Sequence, residues 1–109
     1  MSAEPAGQDN IFAAMGFADA DERLAKAELA RVIRGEIAAR GLTQASAGAL
    51  MGLQQSDVSD LVRGRLARFS ILRLERCLNA LELHVRIQVG RKAKDMERAG
   101  IDVEVVESF

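Results

Sequence analysis

Residues 41–61 carry the pattern that most constrains how this chain folds. Two short segments that favour helix lie on either side of Gly52. Because glycine takes a positive φ without strain, Gly52 lets the chain turn sharply between them. Gly41 is placed to stop the preceding helix in the left-handed conformation, and Gly64 marks the end of the second short helix. The sequence therefore predicts two short helices that pack closely across a tight turn.

Side-chain size agrees with that packing. Ala47 and Gly48 stand where the two helices approach most closely, and a larger side chain there would push them apart. Leu53 closes the turn from below, and Thr43 caps the first of the two helices by accepting a hydrogen bond from a free backbone N–H. The second helix has an apolar face, at positions i, i+3 and i+4, that we expect to face the core: Val58, Leu61 and Val62.

Longer helices flank this pair. An Ala-rich repeat predicts a helix from about Asp19 to Arg40, with acidic residues at its start, where the helix dipole is positive. Ser70 is a good N-cap for a further helix from Ile71 to Leu81. The buried positions predicted in these two helices are Leu29, Val32, Ile33, Ile37, Leu74, Cys77, Leu78 and Leu81. The core must be mainly aliphatic, because the chain has no Trp or Tyr and only four Phe residues.

Length and composition bound the class of protein. At 109 residues, a single compact domain is expected. The single cysteine, Cys77, excludes an internal disulfide and fits a reducing cytoplasm. No apolar run approaches the ~20 residues that a membrane span needs, and the first residues lack the basic and apolar regions of a signal peptide. We therefore expect a cytoplasmic protein that does not bind membranes.

No group of residues in the sequence is typical of catalysis. His84 is the lone histidine and has no second His, Cys or carboxylate at ligand spacing, so we expect it to be structural or exposed. Cys77 lies on an apolar helix face, which is typical of a small core residue and not of a reactive thiol. The sequence has neither a paired acid and base nor a glycine loop that could cradle phosphates. It therefore predicts a protein that is not an enzyme and uses no metal or cofactor.

Charge is distributed unevenly along the chain, although the net charge is only −1. Residues 1–39 hold 4 basic and 7 acidic side chains, residues 40–94 hold 10 and 4, and residues 95–109 hold 1 and 5. The middle is thus basic, at +6, between two acidic ends. A local basic surface is what binding to nucleic-acid phosphates requires, although solvated charges grouped by chance would give the same count.

The polar face of the second short helix has the chemistry for reading DNA. In a helix-turn-helix, the second helix presents its N-terminal residues to base edges in the major groove, and the first helix crosses the backbone. Gln can pair with adenine through two hydrogen bonds, and Ser can bind several base edges. The predicted base contacts are Gln55, Ser56 and Ser59, and the predicted phosphate contacts are Thr43, Gln44, Arg63, Arg65 and Arg68. Asp57 and Asp60 are left out of the base contacts, because DNA repels carboxylates unless they accept a hydrogen bond from cytosine or face away.

The N-terminal segment, residues 1–18, precedes the helical part. Residues 1–10 are small and polar, so we expect this segment to be partly disordered. Large apolar side chains then come close together before a polar break at residues 18–22: Ile11, Phe12, Met15 and Phe17. Two interpretations are open, because this cluster could fold back over the core or could bind a partner protein.

Apolar residues alternate in two segments near the C-terminus. Residues 84–89 and 101–106 have the period of half-buried strands. An isolated hairpin is marginal in water, and pairing with a second copy of the chain would stabilise it. The sequence therefore predicts a C-terminal β-hairpin, or a strand exchanged between the subunits of a dimer. The predicted dimerisation residues are Val85, Ile87, Val89, Ile101, Val103 and Val105.

The stretch that runs from Thr43-Gln44 through Gly52 to Leu61 and Gly64 resembles the XRE helix-turn-helix family, which includes Cro and the phage repressors. The Gln-Gln-Ser sequence at 54–56 is similar to the start of their recognition helix. The resemblance covers roughly residues 10–106 and extends to short regulators that include HigA-type antitoxins. Two positions depart from the usual pattern, since Gly48 replaces an Ala and Glu82 stands where many relatives have Gly.

This resemblance implies a mainly α fold: a lambda-repressor-like domain of five helices with a C-terminal β-strand or hairpin. It implies a homodimer that binds a palindromic operator on double-stranded DNA and represses transcription. In the alternative, the protein is the antitoxin of a HigBA-like pair, which binds and silences a small toxin and regulates its own operon. The expected divisions are an N-terminal segment at 1–18, a DNA-binding domain at 19–82 and a dimerisation ribbon at 83–109.

Overall fold

The computed structural model describes residues 3–109, with side chains described at Gly16 and from Ala18 onward. Four helices occur in this part of the chain: α1 (Ala3–Ala39), α2 (Gln44–Met51), α3 (Gln55–Val62) and α4 (Ile71–Ala80). α1 packs against α3 and α4, and α2 packs against α3 and α4. The two short helices thus pack against each other, α2 also against α4 and α3 also against α1.

One aliphatic core joins the four helices, and Phe69 lies within it. Its most buried large side chains come from α1, α3, α4 and the loops beside α4: Ile33, Val58, Leu61, Phe69, Leu74, Cys77 and Leu81. The positions predicted for the buried stripes of α1 and α4 contribute to this core, with Val32 only partly buried. Burial of these apolar surfaces supplies the main free energy that stabilises the fold.

All four helices end in the same turn, in which a residue of positive φ follows the helix. That residue is Gly41 after α1, Gly52 after α2, Gly64 after α3 and Glu82 after α4. After α3, the Gly64 N–H donates to the Leu61 carbonyl at 3.1 Å, and the next N–H donates to the Asp60 carbonyl at 2.8 Å. These two bonds define a Schellman motif, which satisfies carbonyls left unpaired at a helix end.

The prediction of five helices with a C-terminal β-hairpin is wrong. Residues 3–109 contain four helices and no strand, and the chain beyond Leu81 does not pair into a sheet. Alternating apolar residues favour a strand only where a neighbouring strand completes the backbone hydrogen bonds. Here the alternation serves a different purpose, because it places single side chains on the helical core.

The C-terminal segment, residues 83–109, lies along the helices and is held by side chains. Val85 and Val103 pack against the core as partly buried residues. Arg98 donates to Asp21 of α1 at 2.6 Å. Phe109 contacts the His84 ring edge to face, at 5.1 Å between centroids, and lies 4.2 Å from the Arg86 guanidinium. Contacts with the core and with α1 therefore replace the predicted hairpin.

α1 begins earlier than the sequence predicts. The polar residues 18–22, expected to separate the apolar cluster from a helix that starts at about Asp19, lie well inside α1. Their carboxylates form ion pairs one turn along the helix, from Asp19 to Arg23 and from Glu22 to Lys26. Such i,i+4 pairs support a helix that lacks a strong apolar pattern. The side chains of the apolar cluster at Ile11, Phe12, Met15 and Phe17 lie outside the described residues.

Candidate DNA-binding surface

α2 begins with a cap that the sequence predicts only in part. The Thr43 hydroxyl accepts a hydrogen bond from the Ser46 N–H at 3.0 Å, as expected of an N-cap. The Ser46 hydroxyl in turn accepts from the Thr43 N–H at 2.9 Å, which completes a capping box. Ser46 fills the place where Glu or Gln is usual, and no local signal in the sequence singles it out. Thr43 is exposed and Gln44 half-buried at this end of α2.

The turn between α2 and α3 depends on two glycines for different reasons. Gly52 has φ of 69° and occupies the left-handed region, as the sequence predicts. At Gly48, a Cβ would lie 2.7 Å from the Leu53 carbonyl oxygen and 3.2 Å from the Val58 Cγ2. Gly48 is therefore required by the closeness of the two helices, and an Ala there would force a backbone oxygen to move.

α3 presents its first turn to solvent. Gln55 and Ser56 are exposed, and Ser59, one turn later, is half-buried. Val58 and Leu61, on the opposite face, are completely buried and fix the rotation of the helix about its axis. The N-cap residue, Gln54, makes no side-chain capping hydrogen bond. The predicted base readers thus lie at the N-terminal end of a helix whose other face is anchored in the core.

Asp57 stabilises the fold from within α3. Its side chain is only 12% exposed and accepts a hydrogen bond from the Arg73 guanidinium of α4 at 2.8 Å. The same guanidinium lies 4.6 Å from the centre of the Phe69 ring. The carboxylate that looked misplaced beside DNA therefore points into the protein and joins α3 to α4. Arg73 was missed by sequence reasoning, because it lies sixteen residues from its partner.

Three arginines follow α3, and they differ in their partners. Arg65 is 65% exposed and lies 3.8 Å from the Asp60 carboxylate, which is itself 29% exposed. Arg68 is 76% exposed and lies 3.6 Å from Asp57. Arg63 is exposed, and it forms no ion pair with the side chains described from Gly16 onward. All three guanidinium groups are accessible to an anion.

The clear pKa shifts lie away from this surface. Burial raises the pKa of the Cys77 thiol, and the nearby Arg73 charge offsets this in part. The thiol is therefore inert as a nucleophile at neutral pH, in agreement with its core position. On α1, the hydrogen bond from Arg31 lowers the pKa of the Glu28 carboxyl, and the same hydrogen bond raises the pKa of Arg31.

The arrangement of α2, Gly52 and α3 defines a helix-turn-helix protein. A family model described as a helix-turn-helix domain matches residues 11–90, so the chain belongs to that family. Within residues 3–109, no helix combines the length and apolar character needed to cross a lipid bilayer.

A solved structure narrows the assignment. A protein provisionally named as an XRE family transcriptional regulator is 38% identical to this chain, with a TM-score of 0.76. The match covers 81% of this chain and 99% of that one. This chain is therefore an XRE-type helix-turn-helix protein. No curated protein matches it. The narrower resemblance to HigA-type antitoxins stays a prediction.

Proposed function

We propose that this protein is a sequence-specific DNA-binding transcriptional regulator that acts as a repressor. The observation that carries the proposal is the exposed first turn of α3, where Gln55 and Ser56 stand on a helix anchored by buried Val58 and Leu61. A recognition helix needs both properties, because its N-terminal residues must reach base edges while its orientation stays fixed. The XRE family membership of the chain supports the same function.

The proposed contacts divide into base readers and phosphate contacts. Gln55 has the donor and acceptor needed for two hydrogen bonds to adenine, and the Ser56 and Ser59 hydroxyls can serve either role at a base edge. Phosphates would be bound by residues at the start of α2 and residues that follow α3: Thr43, Gln44, Arg63, Arg65 and Arg68. We expect these contacts to position the protein, while α3 supplies the sequence preference.

The test is a binding titration with the duplex of the chain's own promoter region and with a random duplex of equal length. Gln55→Ala should cost about 1–3 kcal/mol on the promoter duplex and relax specificity at one base pair. Arg63→Ala should weaken both duplexes alike and reduce the salt slope by about 1. Gln88→Ala, an exposed glutamine in the C-terminal segment, is the matched control. Equal affinity of the unaltered protein for the two duplexes would refute the proposal.

We further propose that two copies bind a palindromic operator as a homodimer. Four of the predicted dimerisation residues expose half or more of their surface: Ile87, Val89, Ile101 and Val105. Val85 and Val103 pack against the core of their own chain and would support the interface from behind. Burial of the exposed four against a second copy would remove apolar surface from water. The two recognition helices would then lie about 34–36 Å apart, one turn of DNA.

Sedimentation velocity tests the dimer. The double change Ile87→Lys and Val89→Lys places charges at residues that are 72% and 90% exposed, so the monomer should still fold. We expect this variant to sediment as a monomer, whereas Leu24→Lys, at a 69% exposed position on α1, should leave the dimer intact. A dimer that survives the double change would show that the interface lies elsewhere.

The acidic ends of the chain favour a second role, that of an antitoxin. Residues 1–39 and 95–109 are net acidic, which suits a basic partner protein, and the apolar cluster at 11–17 adds surface for binding. Co-expression with the product of the adjacent reading frame tests this role. Recovery of a 1:1 or 2:2 complex with a small basic protein would support it, and separate elution of the two proteins would contradict it. The regulatory role, which implies a cytoplasmic location, holds in either case.

A further inference from the structure

Two of the three arginines that follow the recognition helix, α3, already pair with a carboxylate in the free protein. Asp60 lies beside Arg65, and Asp57 lies beside Arg68, and both carboxylates belong to α3 itself. The phosphates of a bound duplex would need these same guanidinium groups. The Asp57 and Asp60 carboxylates therefore compete with DNA phosphates for the guanidinium groups that the proposed function assigns to DNA binding.

Local backbone geometry brings Arg65 to Asp60. The Schellman turn at Gly64 directs the Arg65 N–H to the Asp60 carbonyl, at 2.8 Å, so the two residues lie side by side at the end of α3. Their side chains meet at 3.8 Å, with both groups in contact with solvent. A pair with this geometry and exposure contributes little to the stability of the fold. The pair matters for DNA binding because it lies at the end of the recognition helix.

The two carboxylates respond differently when their arginine leaves. Asp57 keeps the Arg73 hydrogen bond at 2.8 Å, so the release of Arg68 leaves it neutralised. Arg65 is the ion-pair partner that the structure gives to Asp60 within the described residues. Release of Arg65 thus leaves Asp60 as an uncompensated negative charge close to the phosphates.

We propose that Asp60 limits the affinity for DNA, because it holds Arg65 in the free protein as a substitute for a DNA phosphate. Binding of any duplex must displace this carboxylate, which then repels the phosphate backbone. The penalty is the same for every sequence, so it lowers the affinity for specific and random duplexes alike and leaves discrimination to the base contacts of α3. This inference rests on the proposed function and extends it to the regulation of affinity at the same surface.

The variant Asp60→Asn tests the proposal, because it removes the charge and keeps both the size of the side chain and the backbone carbonyl. We expect affinity for a random duplex to rise about fivefold, the effect of one unit charge about 4 Å away in water. We expect the slope of log K against log salt to steepen by about 0.9, since Asp60 no longer recruits a cation when Arg65 leaves. The melting temperature should change by no more than about 2 °C.

The control and the double variant separate this mechanism from simpler ones. Glu28→Gln also removes one negative charge and frees one arginine, Arg31, but on α1. It should change DNA affinity less than twofold. The gain from Asp60→Asn should be smaller when Arg65 is already Ala, because the ion pair is then absent and only the repulsion of phosphate remains to be relieved.

Three results would overturn the proposal or its basis. An equal gain from Asp60→Asn with and without Arg65 would show that the carboxylate acts by general repulsion and not by holding Arg65. An unchanged affinity and salt slope would show that Asp60 has no influence on binding. If the unaltered protein fails to prefer its promoter duplex, the proposed function itself fails, and the random-duplex measurement still reports on Asp60.

Discussion

Residues 40–82 and the C-terminal segment, residues 83–109, are stabilised in different ways. In the first region, short helices are closed by backbone hydrogen bonds, such as those that end α3 at Gly64, and the core side chains Val58, Leu61 and Leu74 are completely buried. In the second region, the chain is extended and held by separate side-chain contacts, such as Val103 on the core and Arg98 on Asp21. Backbone hydrogen bonds and buried apolar side chains stabilise the first region together, whereas the contacts that hold the second region are separate from one another.

This difference has a thermodynamic consequence. Loss of one buried side chain in the helical region should weaken the whole domain, because the core is continuous. Loss of one contact in the C-terminal segment should release that segment locally, since little else depends on it. Substitutions at single positions test this contrast through the free energy of unfolding.

Leu61→Ala removes a completely buried side chain from the centre of the core. We expect it to lower the free energy of unfolding by about 2–5 kcal/mol, through lost burial and the cavity left behind. Val105→Ala, at a position that is 51% exposed in the C-terminal segment, should change it by less than about 0.5 kcal/mol. Urea denaturation followed by circular dichroism measures both. Comparable effects of the two changes would remove the contrast between the regions.

Asp57→Asn weakens the bond that joins α3 to α4. The variant keeps its shape but loses the charge that pairs with Arg73, so we expect a loss of about 1.5–3 kcal/mol. Asp102→Asn, at an exposed position in the C-terminal segment, is the control and should be close to neutral. If both variants unfold at the same urea concentration, then the Asp57–Arg73 contact does not stabilise the fold.

Gly48→Ala asks whether close approach or helix propensity dominates in α2. Ala is the better helix former, yet its Cβ would lie 2.7 Å from the Leu53 carbonyl oxygen. We expect the steric overlap with the backbone to outweigh the gain in helix propensity, so that the free energy of unfolding falls by about 1–3 kcal/mol. Gly35→Ala, inside α1 with no atom within 4 Å of the new Cβ, should instead stabilise by about 0.5–1 kcal/mol. Calorimetric melting of both variants gives the two signs, and a stabilising Gly48→Ala would contradict the packing of α2 on α3.

Local signals account for most of what the sequence predicted correctly. The caps at Thr43 and Ser70 and the glycine turns at 41, 52 and 64 each depend on a few neighbouring residues, and all are confirmed. The roles of the predicted DNA-contacting residues stay predictions, although Gln55 and Ser56 are exposed as those roles require.

The features that the sequence did not predict depend on contacts between residues far apart along the chain. The Asp57–Arg73 bond spans sixteen positions and has no local signature. The alternation around Val85 and Val103 predicted a hairpin, because period two fits both a strand and an extended chain that places one residue on a core. A polar stretch at 18–22 suggested the start of a helix, because i,i+4 ion pairs do not stand out in an apolar pattern.

The junction of the two regions, at Glu82, offers the smallest and most direct test. Glu82 has φ of 67° and follows α4 at the position that glycine occupies after the other three helices. The turn after α4 therefore has the same left-handed backbone, although its residue carries a side chain. Glu82→Gly should relieve about 1–2 kcal/mol of left-handed strain, and the added freedom of the unfolded chain should offset about 0.5–1 kcal/mol of that gain. The net expectation is a stabilisation of about 0.5–1 kcal/mol, measured by urea denaturation.

Glu75→Gly, inside α4, is the control and should destabilise by about 1 kcal/mol, since no strain is relieved there. A destabilising Glu82→Gly would mean that the Glu82 side chain itself supports the passage from α4 into the C-terminal segment.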